Sequence, residues 1–325
     1  MPMRMPKSSA PTKNMEAKHD SVLLEEVMEA LAIAPTDTVV DATLGGAGHF
    51  ARLLRSLQQG GTLLGIDADL AAVHRAQAVL DKDVRTHRPT VYLVHDNFRN
   101  LEAILTTLGV TSIDKVLFDL GWSGYQLAGV RGFSFQQEEP LLMTYGAGGR
   151  AAAEIVNTLS ERELADILFS YGEERFARPI SRAIVAERAK ERILSTSALV
   201  RAVMRGTPRW YQHRKIHPAT KTFQAIRIAA NDELVALRAG LTAALSALSP
   251  GGKIAVITFH SIEDRIVKSA FRDAGHAGQG LMHKRLVTPG PAELAVNRRA
   301  RSAKLRVFEK SCARLASPLT TLTYV

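Results

Sequence analysis

"TVVDATLGGAGHF", residues 38–50, decides how the rest of the chain is read. An apolar run that ends in Asp41 and Ala42 suits a buried strand. Gly45, Gly46 and Gly48 then form a tight turn, and "HFARLLRSL" continues with apolar residues at helical spacing. Glycines let a ligand approach the backbone, and the start of a helix offers N–H groups without partners. A strand, a glycine turn and a helix in this order predict the first unit of a nucleotide-binding α/β sheet.

Moving outward, three more apolar runs follow: "TLLGI" (62–66), "VYLV" (91–94) and "KVLFDL" (115–120). They alternate with the helical patterns "LAAVHRAQAVL" and "FRNLEAILTTL", and "SVLLEEVMEAL" (21–31) leads in as an amphipathic helix. This alternation predicts a parallel, doubly wound sheet. After Leu127 it stops. Residues 128–150 are loop-like and glycine-rich, and 151–205 read as helices, with Ser160 and Glu163 forming a capping box. "TKTFQAIRIAANDELVALRAGLTAALSAL" reads as one long helix, "SPGG" as a turn, "KIAVITF" as a strand and "AKLRVFEK" (303–310) as a late strand. The expected organisation is an arm at 1–18, a catalytic domain from 19–127 plus 217–325, and a helical insertion at 128–216 for substrate recognition.

The 325 residues include no apolar run near the ~18 needed to span a bilayer. The arm is broken by Pro2, Pro6 and Pro11 and lacks the apolar core of a secretory signal; the same prolines oppose an amphipathic transit peptide. A single cysteine, Cys312, excludes an internal disulfide and fits a reducing cytoplasm. The net charge of +10 is uneven: residues 172–228 carry 13 Lys/Arg against 4 Asp/Glu, and residues 282–325 carry 9 against 2. Two basic blocks outside an acidic N-terminal half point to a polyanion, most plausibly nucleic acid.

The motifs leave the cofactor open between two classes. Residues 46–51 fit the glycine pattern of a dinucleotide site, and Asp67, 26 residues after Asp41, suits ribose hydroxyls in either case. Asp41 before the turn suits a cationic amino acid tail better than a pyrophosphate. "HDNF" (95–98) ends the third strand where an adenine would lie. Both favour S-adenosylmethionine. "DLGWSGYQL" (119–127) puts Asp119 at the end of the fourth strand, beside the reacting group, with Trp122 and Tyr125 able to stack a base. "FHSIED" (259–264) offers a histidine, a serine and two acids, but no nucleophile elbow for a hydrolase accompanies it and no further ligand cluster suggests a metal.

Together "HDSVLLEEV", "DATLGGAGHF", "GIDAD", "DNF", "DLGWSGYQL", "RGFSF", "YGEERFARPISRAI", "HPATKTFQAIRIAANDEL", "GGKIAVITFHSIEDRIVK" and "NRRARSAKLRVFEK" resemble the ribosomal RNA small subunit methyltransferase H (MraW) family, from His19 to Lys310. The resemblance implies a Rossmann-like class I S-adenosylmethionine-dependent fold with an inserted all-helical domain. It implies N4-methylation of a decoding-centre cytidine in 16S rRNA of the 30S subunit, in the cytoplasm, with no membrane and no metal required. The cofactor positions it implies are Gly46, Ala47, Gly48, His49, Asp67, Phe98, Asp119 and Gln126. The chain departs from the pattern at Ala47, usually glycine, at Trp122 and Gly124, usually valine and serine, and at "PLLMTY" (140–145), where the family has an acid and an arginine. Two other classes remain beside this one: a NAD-dependent oxidoreductase and a non-catalytic RNA-binding protein.

Cytosine N4 is a weak nucleophile, so catalysis should rest on in-line positioning and an acceptor for an N4 hydrogen. Asp119 is the expected acceptor or orienting group. A base must leave its stack to reach it. Trp122, Tyr125, Phe133 and Phe135 are expected around the base, and Arg209, Arg214 and Lys215 on phosphates.

Overall fold

A computed structural model describes residues 21–121, 129–146 and 149–312. The N-terminal arm and Trp122, Gly124, Tyr125 and Gln126 lie outside the described residues.

The helix α1 (Leu24–Leu31) leads into β1 (Thr38–Asp41), α2 (Gly48–Ser56), β2 (Thr62–Asp67), α3 (Leu70–Asp81), β3 (Thr90–His95), α4 (Leu101–Thr107) and β4 (Ile113–Asp119). The helical stretch comprises α5 (Ala152–Thr158), α6 (Glu161–Gly172), α7 (Ala177–Arg188), α8 (Thr196–Arg205), the short α9 (Arg209–Gln212) and α10 (Ala219–Asn231). Then come α11 (Glu233–Ala247), β5 (Leu248–Thr258), α12 (Ser261–His276), β6 (Gly280–Met282), α13 (Pro291–Val296) and β7 (Lys304–Lys310). The strands form one sheet in the order β3-β2-β1-β4-β5-β7-β6. Contacts through β5 are parallel, and β7 is antiparallel to both its neighbours.

The central strands are apolar throughout because both faces are covered. Val39, Leu63, Leu117 and Ala255 pack with α1 and α2 on one side; Val40, Leu64, Val116, Phe118 and Ile254 pack with α4, α11 and α12 on the other. Burying a side chain such as Phe118 contributes on the order of 2–3 kcal/mol. A third cluster joins α5 to α8 with Phe133, Leu141 and Met143. The capping box is present: Ser160 Oγ accepts the Glu163 N–H at 3.2 Å, and the Glu163 carboxylate accepts the Ser160 N–H at 2.8 Å.

Three expectations need correction. The long helix is two, α10 and α11, broken at Asp232, whose φ of 53° is left-handed. Asn231 is drawn out of helical continuation: its Oδ1 accepts the Tyr145 N–H at 2.9 Å and its Nδ2 donates to the Met143 carbonyl at 2.6 Å. "SPGG" lies within β5 as an irregularity in its pairing with β4 rather than as a turn before it. Phe133 is 4% exposed and stacks on Tyr145 with centroids 5.4 Å apart, so it is core and holds no base. Phe223, Ile226 and Ala230 of α10 belong to the third cluster. No described helix is long and apolar enough to cross a membrane.

Candidate active site

The strand order reverses between β1 and β4, and in open α/β sheets that point opens a crevice beyond the carboxyl ends of the strands. The crevice is lined here by the glycine turn after β1, the end of β2, the segment after β3 and the end of β4. Of the expected cofactor residues, Gly46, Gly48, His49, Asp67, Phe98 and Asp119 line it.

Asp67 shapes the turn as well as facing the crevice. Its Oδ2 accepts the Gly45 N–H at 2.9 Å and its Oδ1 accepts the Asp69 N–H at 2.8 Å. Burial raises its pKa, opposed by these two N–H groups. Ala47 does not line the crevice. Its side chain is 2% exposed in the core, its N–H donates to the Leu44 carbonyl at 2.7 Å, and its φ is 63°. That left-handed backbone accounts for the glycine usual in the family pattern; a Cβ there costs about 1–2 kcal/mol of local strain. The helix α2 begins at the next residue with no side-chain cap, leaving N–H groups for an anion such as a carboxylate.

Beneath the turn lies a buried charge cluster. The Thr43 Oγ1 accepts the Asp119 N–H at 2.7 Å, tying the end of β4 to the turn. His49, 5% exposed, places Nδ1 3.4 Å from Asp119 Oδ2 and Nε2 3.1 Å from the Val22 carbonyl. Asp41 is fully buried, and its Oδ2 has no hydrogen-bond partner. Burial pushes the Asp41 carboxyl up to about 7, against the charge of His49, with Asp119 and Asp67 adding to the rise. Asp41 does not itself line the crevice, but a buried carboxylate beneath the glycine turn favours a cationic ammonium above it over a pyrophosphate.

On the far side, Phe98 meets Phe118 edge-on, with centroids 5.5 Å apart and planes at 86°. Gly240 of α11 makes room for it, since a Cβ there would lie 2.7 Å from the Phe98 ring. Asn97 and Phe98 thus present a polar group and a ring face suited to a purine.

The crevice continues into a second polar group that the sequence shows only in fragments. Arg227 of α10, 4% exposed, donates to both carboxylate oxygens of Glu233 at 2.9 Å across the helix break. The Tyr145 hydroxyl donates to the same carboxylate at 2.9 Å, and burial raises its pKa well above the usual value. Glu263 accepts the Phe259 N–H at 2.8 Å and lies within 3.0 Å of His260 Nε2. Glu233, His260 and Glu263 hold potential metal-ligand atoms within 4.8 Å of one another, a cluster not visible from the sequence. Glu233 already carries the Arg227 guanidinium, however, which fills the cationic role at that carboxylate. The polar "HPATKTF" is used in packing: His217 accepts the Ala219 N–H and stacks on Phe135, and Lys221 donates to the Glu173 carbonyl.

Arg209, Arg214 and Lys215 are exposed and line no part of the crevice. Gln126, Trp122 and Tyr125 are outside the described residues.

A doubly wound sheet with an acid after each of its first, second and fourth strands around a glycine turn defines the class: the protein is an S-adenosylmethionine-dependent methyltransferase. Comparison with known proteins narrows it. The chain belongs to the MraW methylase family, which matches residues 16–311. It is 43% identical over 312 residues to ribosomal RNA small subunit methyltransferase H of Desulforapulum autotrophicum, covering 90% of this chain and 99% of that protein. It is 47% identical over 298 residues to the protein of the same name from Deinococcus radiodurans, covering 91% and 90%. Membership removes both the oxidoreductase and the non-catalytic reading.

Proposed function

We propose that the protein transfers a methyl group to N4 of a decoding-centre cytidine in 16S rRNA of the small ribosomal subunit. The observation that supports this reading is the Asp119 carboxylate on the wall of one crevice with the cofactor turn. Carboxylates are the groups that accept hydrogen bonds from a cytosine amine.

The cofactor, when bound, supplies a methyl group already activated on a sulfonium. We assign Asp41 and the start of α2 to its amino acid tail, Asp67 to its ribose, and Asn97 with Phe98 to its adenine. Gly46 and Gly48 give the backbone its close approach. Asp119 is fixed from two sides, by Thr43 through its N–H and by His49 at its carboxylate. That rigidity suits it to orient the N4 amine and accept its hydrogen bond as the nitrogen attacks. Arg209, Arg214 and Lys215, exposed on the basic helical segment, are assigned to the RNA backbone.

The test is transfer of a tritiated methyl group to undermethylated 30S subunits, with the product mapped by nuclease digestion and mass spectrometry. The expected product is N4-methylcytidine at one position. Label on another base, or on an oxygen, would overturn the reading.

A further inference from the structure

The helical segment carries an aromatic surface that the methyl-transfer site leaves unexplained. Trp210 is 54% exposed, unusual for the largest apolar side chain. It meets Phe176 and Tyr211 edge-on, with centroids 5.7 and 5.8 Å away, and these two rings hold it from below. Tyr211 is itself fixed by its hydroxyl, which donates to Glu174 Oε2 at 2.8 Å, and Glu174 is fully buried. The indole is therefore exposed yet rigidly mounted.

One cation lies at its ring and another at the ring of its neighbour Tyr211. The Arg175 guanidinium lies 5.3 Å from the Trp210 ring and 5.1 Å from Phe176, and Arg214 lies 5.4 Å from Tyr211. Among the described residues, no carboxylate forms an ion pair with Arg175, Arg209, Arg214 or Lys215. A solvated helix face would ordinarily scatter acids among its bases; this one lies in a segment with 13 Lys/Arg against 4 Asp/Glu.

The position also bears on the crevice. Glu173, two residues before Arg175, accepts hydrogen bonds from Ser261 at 2.7 Å and Arg265 at 2.6 Å. Ser261 opens α12, and Phe259 and Glu263 on either side of it line the crevice. The aromatic surface is thus anchored to the wall of the active site through one carboxylate.

We propose that Trp210, with Arg175 at its ring and Arg214 at the ring of Tyr211, is a stacking platform for an unpaired nucleobase of the RNA strand beside the target nucleotide. The proposal rests on the RNA-methylating reading above and adds base stacking to backbone contacts. An aromatic face accepts any base because every base has a π-face, and guanidinium groups strengthen the contact. A paired, stacked base has no free face, so the platform selects single-stranded RNA. A protein partner on this surface is the competing occupant, and the test separates the two.

The experiment measures binding of Trp210→Ala, Trp210→Phe and wild-type protein to a single-stranded 12-mer oligouridylate and to a 12-mer RNA duplex, by fluorescence anisotropy. Trp210→Ala should weaken single-strand binding about 5- to 100-fold. Phe should restore most of it, the salt dependence should stay the same, and duplex binding should change little. S-adenosylmethionine affinity and melting temperature serve as the folding control. With 30S subunits, the loss should fall on KM. Equal single-strand affinity in Trp210→Ala overturns the proposal. So does an equal loss for duplex, or a defect seen only with 30S, which would assign the surface to a ribosomal protein. Oligonucleotide binding needs no catalysis, so failure of methyl transfer in the wild type would count against the methyltransferase substrate and leave this test standing.

Discussion

His49 Nδ1 stands 3.4 Å from Asp119 Oδ2 while its Nε2 faces the Val22 carbonyl at 3.1 Å. Both ring nitrogens meet acceptors, so the geometry calls for a proton on each. Burial opposes that charge, yet the hydrogen bond and charge of Asp119, with Asp41, raise the pKa of His49 above its ordinary value. A histidine raised on folding contributes stability that is complete below the unfolded pKa of about 6.5 and is lost as pH climbs through the folded value. The imidazole resonances of His49, assigned with His49→Asn, should titrate at a higher pH than those of a free imidazole. A midpoint at or below that of a free imidazole would contradict this geometry.

Asp119→Asn keeps the shape and removes the anionic acceptor. Turnover on 30S subunits should fall about 10²- to 10⁴-fold, the range for a positioned acid or base. S-adenosylmethionine affinity, by calorimetry, should change far less. A matching loss in cofactor affinity would make Asp119 a binding residue only.

Asp41 gives the cofactor a pH signature. With its carboxyl pushed up to about 7 by burial, the free protein holds a proton there below neutrality. An ammonium ligand favours the ionised form, so binding should release a proton, and affinity should fall by up to about tenfold per pH unit below 7. For stability the sign is opposite to that of a salt-bridged acid: the raised pKa costs stability, increasingly from pH ~4 to ~7, and constantly above. Calorimetry in buffers of different ionisation heat measures the proton, and Asp41→Asn should abolish its release.

Arg227 and Glu233 are buried partners across the helix break. Arg227→Met leaves an uncompensated carboxylate and should cost about 3–5 kcal/mol, read as a lowered urea midpoint. Arg227→Met with Glu233→Leu should regain much of that, because no charge is stranded. Independent, additive losses would refute the coupling.

Arg209→Glu, Arg214→Glu and Lys215→Glu combined should weaken 30S binding and shallow its salt dependence. Cofactor affinity should stay the same. Unaltered RNA affinity would remove these residues from the interface.

Much of the sheet is legible in the sequence because buried parallel strands write themselves as apolar runs closed by acids. Asp41, Asp67 and Asp119 mark the ends of β1, β2 and β4 for that reason. The helix break at Asp232 is hidden because apolar spacing continues through it; what breaks the helix is Asn231 binding a loop 86 residues away. The three residues of β6 are too few for any period to show. Phe133 looks like a free aromatic in a glycine-rich loop until packing from distant helices encloses it. The Tyr145, Arg227 and Glu233 group joins residues up to 88 apart, so only the turn-forming half of the site could be read locally. Tyr145 falls in the segment where the chain departs from its family's pattern, and its hydroxyl shows what that departure supplies.

The separation of β4 from β5 has a consequence for synthesis. These strands pair along their length, yet β4 ends at Asp119 and β5 begins at Leu248. At typical translation rates of 5–20 residues per second, roughly 6–26 s pass between the two. During that interval the nascent sheet presents β4 as an open hydrogen-bonding edge, the kind that recruits other chains. The helices between are made in that window, and their own apolar cluster can form before the sheet is closed. The expected outcome is that slowing translation across 120–247 lengthens the time the nascent chain is held by chaperones, measured by ribosome-bound chaperone capture.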